Sequence, residues 1–99
     1  MFLGRVIGTV WSTKKDEQLV GAKLLIVQEL ELDLEEKERI VVAVDSVGAG
    51  DGEIVLVASG SSSRMTTFTK DKPVDAVIMA IVDKLDVATK EWLEEKMVL

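Results

Sequence analysis

The 99 residues of this chain support one domain with a single modest hydrophobic core, so we expect residues 1–99 to form one domain. A hydrophobic fraction of 47% and a charged fraction of 30% are typical of a globular protein, whereas the net charge of −6 and the 4% of aromatic residues argue against nucleic acid or a membrane surface as a partner. The chain contains no cysteine and no histidine, which excludes disulfides, thiolate metal sites, cysteine nucleophiles and histidine acid–base catalysis.

The first thirty residues predict two strands joined by a polar connection. Residues 2–11, FLGRVIGTVW, are rich in β-branched side chains, and Gly4 and Gly8 within them favour a bend or a close backbone approach over a helix. Residues 12–21 form the polar connection, and residues 22–30, AKLLIVQEL, the second strand. The N-terminus has no signal-peptide pattern, and no apolar run approaches the ~20 residues of a membrane span, so we expect neither feature.

Residues 28–39, QELELDLEEKER, form an acidic segment with six acids and two bases. Leu30, Leu32 and Leu34 alternate with charged residues, which predicts a strand over these positions, and the following EEKER predicts a solvated turn. The segment is either an acidic cation site or an exposed strand end or loop. We favour the second interpretation, because the acids alternate with leucines and are not gathered around a turn glycine, as a calcium loop requires.

Two β-branched runs flank a glycine turn in the middle of the chain. Residues 39–47, RIVVAVDSV, and residues 53–60, EIVLVASG, predict the third and fourth strands, and the GAGDG between them predicts a β-hairpin. In such a turn the glycines supply backbone conformations with positive φ. That role accounts for two glycines, and it leaves the third for close packing against another chain.

The same turn invites a second interpretation as a phosphate site, which its details oppose. A dinucleotide-binding loop needs G-x-G-x-x-G opening a helix, and a Walker loop ends in Gly-Lys-Ser/Thr. Here Gly48, Gly50 and Gly52 are one residue closer together, a strand pattern follows, and Asp51 would repel a phosphate.

The last forty residues predict a loop, a strand and a helix. Residues 61–73 are polar and predict a loop or one short helical turn, with Pro73 directly before the next element. Residues 74–83, VDAVIMAIVD, also have a spacing that fits a helical face, but their β-branched content favours a fifth strand. Residues 88–99 predict a short terminal helix. We interpret the two tryptophans, Trp11 and Trp92, as packing anchors rather than a ligand cage.

Candidate catalytic side chains are few. The serines of GSSSR have no histidine to activate them, and we expect the arginine after them, Arg64, to form an ion pair within the chain or across a subunit boundary. Asp45, Asp75 and Asp83 lie at strand ends, where aspartates usually cap turns. We therefore expect no enzyme activity, no catalytic residue, no bound metal and no cofactor.

About five short strands with glycine turns and no long intervening helices predict a mainly β fold: a small five-stranded OB-like β-barrel with a short C-terminal helix.

Four stretches in order resemble the vertex proteins of bacterial microcompartments: GRVIGTVWSTKK, LVGAKLLIVQ, VVAVDSVGAGDGEIVLVASGSSSR and PVDAVIMAIVD. The resemblance covers residues 1–85. It implies a non-enzymatic shell protein whose homopentameric rings close the vertices of a polyhedral carboxysome or metabolosome shell in the bacterial cytoplasm. The implied partners are the chain itself and hexameric shell proteins, with no nucleic acid and no membrane.

The resemblance also implies where two segments of the chain lie in the ring. The GAGDGE turn matches family segments near the ring axis, which makes its residues pore candidates: Gly48, Ala49, Gly50, Asp51, Gly52 and Glu53. The GSSSR loop supplies four subunit-interface candidates: Ser61, Ser62, Ser63 and Arg64. Trp92, in the terminal segment that the resemblance does not cover, is a further subunit-interface candidate. Ser63 stands where the family commonly has alanine.

The predicted barrel, taken without the resemblance, allows one alternative function, an OB-type binding module for nucleic acid or another ligand.

Overall fold

The computed structural model describes residues 1–67, 69–70 and 74–88. Its five strands are β1 (Phe2–Val10), β2 (Lys23–Leu30), β3 (Glu36–Asp45), β4 (Ile54–Ser59) and β5 (Ala76–Ile81), and two short 3₁₀ helices span Glu17–Leu19 and Gly60–Arg64. The strands close into a barrel in the order β1-β2-β3-β5-β4. The predicted five-stranded barrel is confirmed, and the fifth segment is a strand rather than a helix. The predicted terminal helix lies outside the described residues.

The predicted hairpin between β3 and β4 is wrong. β3 pairs with β2 and, in parallel, with the start of β5, whereas β4 lies between β1 and β5. The connecting residues 46–53 are longer than a typical two- to five-residue hairpin loop. They lead the chain to β1, where the Gly52 amide donates to the Val6 carbonyl (2.8 Å) and the Val6 amide donates to the Glu53 carbonyl (3.0 Å).

The two glycines of β1 have the roles that the sequence predicts. A Cβ added to Gly4 would collide with Cγ1 of Val27 and approach the Gln28 carbonyl oxygen at 3.0 Å, so β1 and β2 pack closely only because Gly4 has no side chain. The pairing register between β1 and β2 shifts between Val6 and Gly8, which is where the strand bends.

Alternation along the strands places apolar side chains in two clusters. The main core fills the barrel with Val6, Leu25, Val27, Ala43, Ala49, Val55, Val57, Ala76 and Ile78. A smaller cluster lies on the outer side of the barrel, where Val44 pairs with Leu24, and consists of Ala22, Val44, Ala58 and Val77 with Leu19, Leu24 and Val74 packed against it. The barrel interior is therefore filled by side chains.

The acidic segment divides into a loop and a strand start, so its predicted secondary structure needs correction. Leu32 and Leu34 lie in the loop between β2 and β3 rather than in a strand, and Leu34 has φ 69°. The charged residues predicted as a turn begin β3, which pairs there with β2. Lys37 and Arg39 also form ion pairs with Glu29 on β2 (3.5 and 3.8 Å). The arginine also stacks 5.2 Å from the ring centre of Phe2.

Candidate functional site

Asp45 fixes the backbone of the glycine-rich loop, residues 46–53. Its Oδ1 atom accepts hydrogen bonds from the amides of Val47 (3.0 Å), Gly48 (3.1 Å) and Ala49 (3.2 Å). Successive backbone amides of this kind make an anion-binding concavity, but here the chain's own carboxylate fills it. The predicted role of Asp45 as a turn cap is confirmed, and the geometry gives a second reason against a phosphate site.

The three glycines of the loop differ in whether their backbone conformation requires glycine. Gly48 and Gly52 have φ 77° and 83°, a region that side chains rarely adopt, so the loop shape requires glycine at both positions. Gly50 has no positive φ, and a Cβ added there would meet only Oε1 of Glu53, at an ordinary contact distance of 3.5 Å. Nothing in the described residues of one chain therefore explains why position 50 is glycine.

The loop presents most of the pore candidates to solvent and buries one. Gly48, Asp51, Gly52 and Glu53 are exposed and Gly50 is half-buried. Ala49 is 1% exposed and belongs to the main core, so its side chain has no surface to offer a pore.

The GSSSR segment forms the 3₁₀ helix Gly60–Arg64, and its residues differ in burial. Ser63 is fully buried, and its hydroxyl donates to the carbonyls of Gly60 (2.6 Å) and Val74 (3.2 Å). The hydroxyl thus binds its own chain, and any part that Ser63 has in an interface is limited to positioning the backbone.

Arg64 and Ser61 lie on the surface of the same segment. The guanidinium of Arg64 donates to the Val74 carbonyl (3.4 Å) and forms no ion pair with any carboxylate of the described residues. Of the two ion-pair arrangements predicted for Arg64, the one within the described part of the chain is therefore absent. Ser62 lies in the same 3₁₀ helix, and Trp92 lies outside the described residues.

Trp11 is not the packing anchor that we predicted. It follows β1 directly and is 89% exposed. A tryptophan at the end of an apolar strand has the same sequence signature whether it packs or projects, and the polar STKK run after it is the one signal that favoured projection.

The described residues offer no assembled chemical centre. They contain no group of three or more Asp or Glu side chains able to hold a metal ion, and none of their buried side-chain nitrogen or oxygen atoms lacks a hydrogen-bond partner. The acidic segment itself forms an exposed loop and the start of β3, which is the arrangement that our preferred interpretation predicts. No helix within the described ranges is long and apolar enough to cross a membrane.

Comparison with known proteins identifies the family. The family model described as "Ethanolamine utilisation protein EutN/carboxysome" matches residues 1–83. The chain belongs to this EutN/CcmL family. It is 49% identical over 86 residues to the bacterial microcompartment shell vertex protein GrpN of Rhodospirillum rubrum, a match that covers 87% of this chain and 97% of the relative.

Two further comparisons agree with this membership. The chain is 47% identical over 89 residues to the carboxysome shell vertex protein CcmL of Synechocystis, covering 90% of this chain and 89% of CcmL. A solved structure of GrpN from Rhodospirillum rubrum, described as a pentameric microcompartment shell protein, superposes with a TM-score of 0.81 at 46% identity and covers 89% of this chain and 100% of GrpN. The resemblance inferred from the four sequence stretches is confirmed, and shell vertex proteins are favoured over the alternative of a nucleic-acid-binding module.

Proposed function

We propose that this EutN/CcmL-family chain is a structural shell protein that forms homopentamers and caps the vertices of a polyhedral bacterial microcompartment. The observation that carries the proposal is the match over nearly the whole chain to proteins named as shell vertex proteins, one of them described as pentameric. The role follows from geometry. A sheet of six-fold tiles stays flat, and five-fold units are needed to close it. Head-to-tail contacts that close on themselves make such a unit.

The physical character of the barrel supports a structural role rather than catalysis. Its interior is filled by side chains, the chain has no histidine or cysteine, and the described residues gather no metal-binding carboxylates. Several large apolar side chains remain exposed, among them Trp11, Ile40 and Met65 at 89%, 54% and 81%. Exposed apolar groups on a small barrel fit a protein that buries them against other subunits.

The proposal gives the two candidate segments different positions in the ring. The exposed part of the glycine-rich loop lies near the five-fold axis, where Gly50 is small because copies of the same loop stand around it. Arg64 pairs with a carboxylate of a neighbouring subunit, since its guanidinium has no such partner among the described residues. Hexameric shell proteins surround the ring, and the assembly lies in the bacterial cytoplasm.

A deletion experiment tests the vertex role. Removing the gene from its host is expected to give elongated or unsealed compartments in electron micrographs, because the flat facets then lack the units that close them. Returning the wild-type gene is expected to restore closed polyhedra. Closed, polyhedral shells in the deletion strain would contradict the proposed function.

A further inference from the structure

Trp11 is an exposed side chain that two exposed lysines follow closely in the chain. It is 89% exposed, and the next residue, Ser12, donates a hydrogen bond from its hydroxyl to the carbonyl of Lys14 (2.6 Å) within the bend that follows β1. Lys14 and Lys15 are exposed, and neither forms an ion pair with a carboxylate of the described residues. An exposed tryptophan of this kind is typical of an anchor at a protein–protein interface.

An apolar groove lies beside β3, where this strand separates from β5. The two strands pair only through Val44 with Val77 and Asp45 with Ile78, so residues 36–43 of β3 pair with β2 and with no other described strand. The groove has a volume of about 240 Å³ and is lined by apolar side chains: Leu19, Leu24, Val42, Val44, Val74 and Ala76. We call it the β3 groove. One acidic residue, the exposed Asp75, completes its lining.

Trp11 and the β3 groove lie near the same end of the barrel, because Leu24 of the groove pairs with Val10, the residue directly before Trp11. Trp11 does not fill the groove of its own chain, since it is 89% exposed. When Trp11 of one copy enters the groove of a second copy, and Trp11 of the second copy enters the groove of a third, the contact is head-to-tail. Such a contact repeats from copy to copy and closes into a ring when the rotation fits.

We propose that Trp11 of one copy inserts into the β3 groove of the next copy and anchors the ring. The apolar lining receives the indole, and Asp75 beside the groove pairs with Lys14 or Lys15 of the inserting copy, so the two surfaces match in apolar character and in charge. This inference rests on the proposed function, since it names the contact by which the copies join.

The first test replaces Trp11, which folding of one chain does not need. Trp11→Ala is expected to raise the protomer concentration at which pentamers dissociate by about 30-fold or more, as is typical for a buried interface tryptophan. Native mass spectrometry of a dilution series measures this, and circular dichroism checks that the barrel is intact. Leu32→Ala is the matched control, because Leu32 is 51% exposed in the loop between β2 and β3, away from the β3 groove, and its removal is expected to leave dissociation unchanged.

The second test changes the opposite side of the contact. Val42 is 49% exposed and lines the β3 groove, so Val42→Lys is expected to preserve the fold and weaken the ring. If the two side chains are in contact, the double variant Trp11→Ala/Val42→Lys is expected to dissociate at a protomer concentration only slightly higher than that of either single variant. Independent effects that simply add would show that Val42 and Trp11 do not share a contact and would overturn the inference.

Fluorescence supplies a readout that does not depend on affinity. The chain has two tryptophans, so Trp92→Phe, used at a concentration at which native mass spectrometry shows this variant to be pentameric, leaves Trp11 as the only one. Its emission is expected to shift to shorter wavelength between dilute protomers and assembled rings. Two outcomes would overturn the inference for a wild type that is pentameric. In the first, Trp11→Ala and Leu32→Ala dissociate at the same protomer concentration. In the second, the emission wavelength of Trp11 does not change on assembly. A wild type that never forms pentamers contradicts the proposed function itself, and the two failures are thus distinguishable.

Discussion

At the scale of single residues, Asp45 and Trp11 show what a sequence does and does not determine. The cap formed by Asp45 depends on local spacing, because its carboxylate binds amides two to four residues later, and it was therefore predictable. The exposure of Trp11 depends on whether a distant segment covers it, which a strand pattern does not record. The burial of Ser63 also depends on a segment outside its own helix, because its hydroxyl donates to a carbonyl eleven residues away.

Asp45 gives the first prediction at this scale. Asp45→Ala leaves three loop amides without their acceptor, and we expect it to lower the free energy of unfolding by about 1–3 kcal/mol. Urea denaturation at a fixed protomer concentration measures this value. Asp51→Ala in the same loop removes an exposed carboxylate and is expected to change stability by less than about 0.5 kcal/mol. Equal effects of the two substitutions would show that the cap does not stabilise the loop.

The second prediction separates folding from assembly at the glycines. Gly50→Leu is expected to keep the unfolding free energy of the protomer within about 0.5 kcal/mol, because position 50 has neither positive φ nor a close contact, yet to reduce the pentamer fraction in native mass spectrometry. Gly48→Ala is expected to destabilise the protomer itself by about 1–2 kcal/mol, since φ is 77°. A fully pentameric Gly50→Leu protein would remove this glycine from the ring axis.

At the scale of strands, the sequence predicted which segments are extended but not how they pair. Period-two alternation and β-branched residues identify β1 to β5, because these signals are local. The partner of β3 is decided by where residues 46–53 lead, and the hydrogen bonds of Gly52 and Glu53 with Val6 bring β4 to β1 instead of back to β3. The charged segment predicted as a turn is likewise the start of β3 because it pairs with β2, and ion pairs with Glu29 join the two strands there.

A matched pair of glycines on β1 tests the packing of that strand. Gly4→Ala is expected to lower the free energy of unfolding by about 1–3 kcal/mol, because the added methyl group collides with Val27 and the Gln28 carbonyl. In Gly8→Ala the added methyl group contacts only the side chain of Ile26, at 3.4 Å, so the free energy of unfolding is expected to change little. Thermal or urea unfolding of both variants measures the difference. Equal tolerance of the two methyl groups would contradict the close approach of β1 and β2.

At the scale of the whole molecule, a filled barrel with exposed apolar side chains is consistent with a protein whose surface is completed by other copies of itself. Trp11 and Met65 are each more than four-fifths exposed, and Arg64 has no ion-pair partner among the described residues. The described ranges gather no group of carboxylates able to hold a metal ion.

Native mass spectrometry of the full wild-type chain at micromolar concentration tests this most directly. One chain has a mass of 10.8 kDa, so the account predicts a dominant species of about 54 kDa, five times that mass, which gives way to protomers on dilution. A chain that remains monomeric or dimeric across the concentration range would contradict the ring and the vertex role with it.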